Sequence, residues 1–181
     1  METEEKKATP KQNIILDSNI IQYTADKFAS QVFVQYLSDL LKRGFGLAIS
    51  DISIFELLKG AYVKKENEML QLLSIFIRYY LVDRVLVAAA QLETLYKLDG
   101  IDPKQIEAGD KLIGSTAILT GSLILTANAR DFPSQYFPEV ERKPLMYSIK
   151  NKNNFSKCIL VTLLNPDINM ISQKFSERPN E

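Results

Sequence analysis

NIILDSN, residues 13–19, is the stretch on which the fold turns. It is a short apolar run ending in Asp17, and it predicts a strand buried at the centre of a parallel sheet. In open α/β sheets ligands bind beyond the carboxyl ends of the strands, so an acid at that point is a candidate site residue. Asp17 or Ser18 can equally serve as a plain cap for a following helix.

Working outward, GLAIS (46–50) and SLILTAN (122–128) read as further short strands. Between them lie helical patterns. FASQVFVQYLSDLLKR (28–43) spaces Val32, Tyr36, Leu37, Leu40 and Leu41 on one side, and Gly44 is its stop. ISIFELLKGAYVKK (52–65) predicts a helix capped by Ser50 or Asp51. ENEMLQLLSIFIRYY (66–80) predicts another, with Met69, Leu72, Leu73, Phe76 and Ile77 inward. LVDR (81–84) is a short strand or connector, followed by the helix VLVAAAQLETLYKLDG (85–100). Asp102 and Pro103 form a helix-start signal, which predicts a helix from Pro103 to about Thr120 with Gly121 as terminator. Strands alternating with helices imply parallel α/β packing. Beyond about residue 140 the pattern changes: KPLMYSIK (143–150) and KCILVTLL (157–164) read as two strands and NPDINMISQKF (165–175) as a last short helix. The expected divisions are a tail at 1–12, a domain at 13–140 and an extension at 141–181, either a hairpin on the sheet edge or an accessory piece.

Composition narrows the chemistry. The chain has no histidine, which excludes Ser-His-Asp and Cys-His catalysis and imidazole metal ligands. A hydrolase of this composition must work through carboxylates, with a hard cation such as Mg²⁺ or Mn²⁺. The one cysteine, Cys158, excludes an intrachain disulfide and a cysteine zinc cage; its place in CILVTLL predicts a small core residue. A formal net charge of zero is not that of a tight non-specific DNA binder. No apolar run approaches the roughly 18 residues of a membrane span, and METEEKKATPKQ at the start lacks a secretory pattern, so the expected compartment is the cytoplasm.

Four acids stand where packing alone would not put them. Asp17 ends the first strand. Glu56 shares a helical face with Ile52 and Gly60. Asp110 falls on or beside the stripe formed by Ile106, Ile113 and Ala117. Asp131 follows the strand SLILT in the turn NARDF. Each has a structural use of its own: a helix cap for Asp17, a solvated surface for Glu56, a salt bridge with Lys111 or Arg130 for Asp110, turn chemistry for Asp131. In combination, parallel strands would bring all four to one point, where they repel unless a cation sits among them.

In order, NIILDSN, ISDISIFELLKG, GDKLIGSTA and ILTANARDF resemble the PIN-domain nuclease family, in particular the VapC-like toxin ribonucleases of toxin–antitoxin pairs, over roughly residues 13–140. The resemblance implies a three-layer α/β/α sandwich with a central parallel sheet of about five strands. It implies an endoribonuclease using Mg²⁺ or Mn²⁺. Carried over, Asp17 and Asp110 are the chief metal ligands, with Glu56 and Asp131 acting directly or through water, and all four as catalytic acids. Asn19, Thr126 and Asn128 are the polar residues orienting them. Three features depart from the family pattern: the early start of the helix holding Asp110, Gly114 where alanine is common, and the longer tail.

Lys59, Lys111 and Arg130 lie near the site in sequence as possible phosphate-binding residues, although solvated charge is the commoner use. The expected partners are an RNA substrate, a second copy in a homodimer and an antitoxin protein, with no membrane. Apolar faces such as MLQLLSIFI (69–77) suit either protein partner, or the core. The alternative is a non-catalytic PIN-like module binding RNA or protein. A small-molecule phosphotransfer enzyme lacks support, since no GxxxxGK[ST] or GxGxxG loop is present.

Overall fold

The computed structural model describes residues 11–60, 66–149 and 155–177. Strands β1 (Asn13–Leu16), β2 (Gly46–Ser50), β3 (Ile77–Tyr79), β4 (Leu123–Thr126), β5 (Glu139–Ile149) and β6 (Phe155–Leu164) form one sheet in the order β3-β2-β1-β4-β6-β5. β3, β2, β1 and β4 run parallel, and β6 and β5 add an antiparallel ribbon at the β4 side. The sheet is therefore mixed, with six strands among the described residues.

The helices are α1 (Ser18–Ala25), α2 (Ser30–Lys42), α3 (Asp51–Gly60), α4 (Glu66–Leu73), α5 (Asp83–Leu98), α6 (Ala108–Thr120) and α7 (Ile168–Ser176). Successive strand residues point to opposite faces, and the two cores follow that alternation. Ile14, Leu16, Ile49 and Leu125 pack with α1, α2, α3 and the end of α4; Ile15, Ala48 and Ile124 pack with α5, α6 and Ile171 of α7. This is the expected three-layer sandwich. Because β1 is covered on both faces and paired on both edges, its three apolar residues are fully buried.

Three details differ from the sequence reading. The helix expected over 66–80 ends at Leu73, and Ile77–Tyr79 is a strand paired with Ala48–Ser50. The β-branched and aromatic residues after Ser74 extend the sheet rather than the helix. Of LVDR, expected as a short strand or connector, Leu81 and Val82 connect while Asp83 and Arg84 already belong to α5. The helix expected from Pro103 is two pieces. Asp102 accepts a bond from Lys104 N at 3.0 Å and caps only a 3-10 turn, Pro103–Gln105; Ile106 and Glu107 are then extended, and α6 starts at Ala108. Finally, Cys158 is exposed rather than in the core. It lies opposite Met146 on a ribbon face that is left exposed among the described residues, while Leu145 and Tyr147 on the other face join the core.

The rest of the reading of α2 holds, with Gly44 in the left-handed region at φ 90° as its stop, though Leu41 is exposed. Residues 61–65, expected to finish α3, lie outside the described residues, as do 1–10 of the expected tail and residues 150–154 and 178–181. Gly114 has a packing cause: a Cβ there would lie 2.8 Å from Cζ of Phe137. No helix among the described residues is long and apolar enough to cross a membrane.

Candidate functional site

The carboxyl ends of β1 and β4 sit side by side, with Asp17 N donating to Leu125 O at 3.0 Å. Chain geometry then puts Asp17 and the loop after Thr126 at one point on the sheet edge. The Asp17 carboxylate is buried, 4% exposed, and is held by its neighbours. Asn19 Nδ2 and Thr126 Oγ1 both donate to its Oδ2, at 2.6 and 2.7 Å, and Ser18 Oγ approaches Oδ1 at 3.3 Å. Asn19 Oδ1 in turn accepts from Ala127 N at 3.1 Å, and Thr126 Oγ1 from Asn128 N at 2.9 Å. These small polar residues lock the ends of β1 and β4 together as well as orienting the acid. Asp17 does not cap α1 with its side chain, so its helix-cap use is not realised.

The other acids arrive from three directions. Ser50 Oγ accepts from Ser53 N at 3.1 Å and so caps α3, whose face bearing Ile52, Glu56 and Lys59 turns to the cleft. Asp110 is in the first turn of α6, one residue after Gly109. Asp131 closes a 3-10 turn after β4, where Asn128 Nδ2 donates to its Oδ2. Asp17, Glu56, Asp110 and Asp131 all line one open cleft of about 600 Å³, together with Asn19, Asn128 and Lys59.

Burial dominates their electrostatics. Burial raises the affinity of the Asp17 carboxyl for its proton, against the opposing bonds from Thr126, Ser18 and Asn19. Burial likewise raises Glu56, partly offset by a bond from Ser18, and raises Asp131, partly offset by Arg130. Asp110 is pushed up to about 8, by burial first and then by Asp17, Asp131, Glu56 and Glu107. No hydrogen bond or ion pair reaches Asp110 from the described residues. The salt bridges weighed for it go elsewhere: Lys111 Nζ lies 2.8 Å from Glu93 and donates to Pro103 O at 3.2 Å, and Arg130 lies 3.7 Å from Asp131. Lys111 is thus turned toward α5, away from the cleft, while Lys59 stays on its rim. No three acidic side chains among the described residues are close enough to enclose a cation unaided.

The sequence reading passed over several cleft residues. Glu107 lines it and adds to the negative field on the acids. An exposed glutamate ahead of a helix carries no signal that separates it from ordinary surface charge. Gly109 lies against Glu56: a Cβ there would collide with Glu56 Oε1. Its position beside an acid at a helix start is the only hint. Ser18, Gln22 and Phe55 complete the wall.

Sheet and cleft together define an α/β sandwich carrying one acidic centre at the carboxyl edge of its parallel strands. Within that class the chain belongs to the PIN domain family, whose model matches residues 14–138 and whose members are generally nucleases. It is similar to VapBC2 of Rickettsia felis, solved bound to a DNA fragment from the promoter, with 25% identity and a TM-score of 0.56 over 66% of this chain and 90% of that one. A toxin–antitoxin complex from Klebsiella pneumoniae shares the fold at 23% identity and a TM-score of 0.52, again over 66% of this chain and 90% of that one. VapBC-1 of nontypeable Haemophilus influenzae does so at 22% and 0.54, with the same coverage. No curated protein matches the sequence. The family match stops at residue 138, one position before β5.

Proposed function

We propose that the chain is a Mg²⁺- or Mn²⁺-dependent endoribonuclease acting as the toxin of a toxin–antitoxin pair in the cytoplasm. What supports this reading is one observation: four carboxylates from β1, α3, α6 and the turn after β4 line a single cleft, where Asp110, buried and raised further by the other three, has no cationic partner among the described residues.

The donors are all carboxylate oxygens, which suits a hard cation. Since no three of them form a closed cage, the fitting ion is one that takes one or two carboxylates directly and fills its shell with water, as Mg²⁺ commonly does. Asp17 and Asp110 are its chief holders, with Glu56 and Asp131 acting directly or through water. Such an ion, when bound, acidifies water and stabilises the charge of a phosphodiester under in-line attack. The chain's own part is orientation. Asn19 and Thr126 hold Asp17 Oδ2, while Oδ1 meets the longer approach of Ser18 Oγ at 3.3 Å. Asn128 aims Asp131, and Gly109 makes room for Glu56. Lys59 on the rim is the residue placed to hold a phosphate.

RNA as the substrate follows from the resemblance to VapC-like toxins. The solved neighbours are toxin–antitoxin assemblies, which supports an antitoxin partner here. A homodimer is the second protein contact we propose; Phe55, Leu70 and Ile75 are exposed and available for either partner. Residues 13–140 form the nuclease unit, and 141–181 an extension that continues its sheet. The test is RNA cleavage with Mg²⁺ or Mn²⁺ by the full chain and by Asp17→Asn and Asp110→Asn. Loss of cleavage in both variants is expected; undiminished cleavage in both would overturn the assignment.

A further inference from the structure

A second groove, of about 560 Å³, adjoins the acidic cleft and shares Glu107, Asn128 and Asp131 with it. A chain lying in one therefore continues into the other. The second groove differs in chemistry. Ile101, Ile106 and Pro133 give it an apolar surface, Gln105 an exposed amide, and Arg130 a guanidinium whose side chain is 85% exposed.

The groove exists because the chain between α5 and α6 is not one helix. The 3-10 turn stops at Gln105 and the extended Ile106 and Glu107 carry the backbone back to α6. This wall is tied down in three places. Ile101 N donates to Tyr96 O at 2.8 Å, Asp102 accepts from Lys104 N at 3.0 Å, and Lys111 Nζ donates to Pro103 O at 3.2 Å. A wall held before the ligand arrives loses little entropy on binding.

We propose that this groove is a subsite for one unpaired nucleotide next to the cleaved phosphodiester of a single-stranded RNA, with Gln105 reading the base edge and Arg130 holding the neighbouring phosphate. The proposal rests on the nuclease reading above. The volume is in the range of small-ligand pockets, about 300–1,000 Å³. Unstacked RNA bases are taken up on flat apolar or aromatic surfaces and bonded at their edges. An amide offers both a donor and an acceptor, so its orientation can favour one base edge over another. The ion-pair contact that Arg130 makes among the described residues is the long approach to Asp131 at 3.7 Å, which leaves guanidinium donors for a phosphate. Continuity with the acidic cleft selects the occupant: whatever strand presents its phosphate to the four acids must lay the next nucleotide along this wall.

The test is cleavage of a single-stranded RNA pool with a randomised segment, in Mg²⁺ or Mn²⁺, with the product ends sequenced. Wild type is expected to show a base preference at the position beside the cut. Gln105→Ala is expected to flatten that preference and to raise KM more than it lowers kcat. Arg130→Ala is expected to raise KM roughly tenfold, the size of one hydrogen bond to a charged group, and to keep the preference. Lys104→Ala, an exposed neighbour outside the groove, is expected to behave as wild type. Fluorescence anisotropy with short single-stranded oligoribonucleotides, in an Asp110→Asn background, repeats the comparison without turnover. A preference absent from wild type, or unchanged in Gln105→Ala, would overturn the subsite and leave the nuclease standing. An inert wild type would overturn both.

Discussion

Two aspartates in this chain have opposite fates. Asp99, at the end of α5, accepts from Tyr136 Oη, from Gln135 Nε2 at 2.8 Å and from Lys174 Nζ, and these partners hold its carboxyl below the usual range. They also fasten α7 to the body of the molecule. Asp110, eleven residues further on by way of the 3-10 turn, has none of this and is pushed up to about 8. Glu93, exposed as it is, is drawn down to about 2 by Lys111 and Lys97. The protein supplies close cations to its structural acids and none to Asp110, while Asp131 has only the long approach of Arg130 at 3.7 Å. A carboxylate cluster left without a counter-charge costs stability, and such costs persist where function requires them.

Several experiments would break or sharpen that contrast. The largest effect is expected from Asp17→Asn and Asp110→Asn: a loss of metal-dependent cleavage of about a hundredfold or more, with no loss of folding stability in the metal-free protein, because each change removes repulsion. Kinetics and thermal melting of the same samples check it. Gly109→Ala comes next. Its methyl group would displace Glu56, so cleavage should fall by about tenfold while the fold stays intact. Asp99→Asn should do the reverse, leaving cleavage unchanged and lowering the melting temperature by roughly 2–4 °C, the expectation for about 1 kcal/mol in a chain of this size. Should Asp99→Asn impair cleavage as deeply as Asp110→Asn, the two acids are not different in kind.

A last test concerns pH. The carboxyl of Asp110 takes its proton more tightly in the folded state, about 8, than in the unfolded chain, where it lies near 3.8. Between those values the folded state binds more protons than the unfolded state, so its stabilising share is complete below about 3.8 and is lost as pH rises towards 8. Metal-free protein should therefore lose stability from about pH 4 to pH 8, on account of this group, and Asp110→Asn should flatten that slope. Denaturant midpoints across the range would reveal it, and an identical slope in the variant would contradict it.

How much of this could be read beforehand depended on whether a residue's environment is local. Asp17 was legible because it stops an apolar run, and Asp131 because it follows one. Asn19, Thr126 and Asn128 were legible through their place in DSN and TAN, and they do converge around Asp17 and Asp131. The start of α6 was not legible, since Asp102 and Pro103 signal a 3-10 turn as well as a helix, and what ends that turn is the extended backbone at Ile106. β3 was hidden because no breaker stronger than Ser74 separates it from α4, and only pairing with β2 makes it a strand. Cys158 looked buried because the ribbon is apolar on both faces, and no sequence says which face another layer covers. Glu107 and Gly109 owe their roles wholly to what the fold sets against them.

Titration of Mn²⁺ into the wild-type chain and Asp110→Asn near pH 7.5, followed by the melting temperature, tests the account most directly. A cation that binds the folded state alone stabilises it by about 2.7 kcal/mol at a hundred times its dissociation constant. A saturable rise in wild type that vanishes in Asp110→Asn is the predicted result. A flat response in wild type at millimolar Mn²⁺, or an equal rise in both proteins, would contradict it.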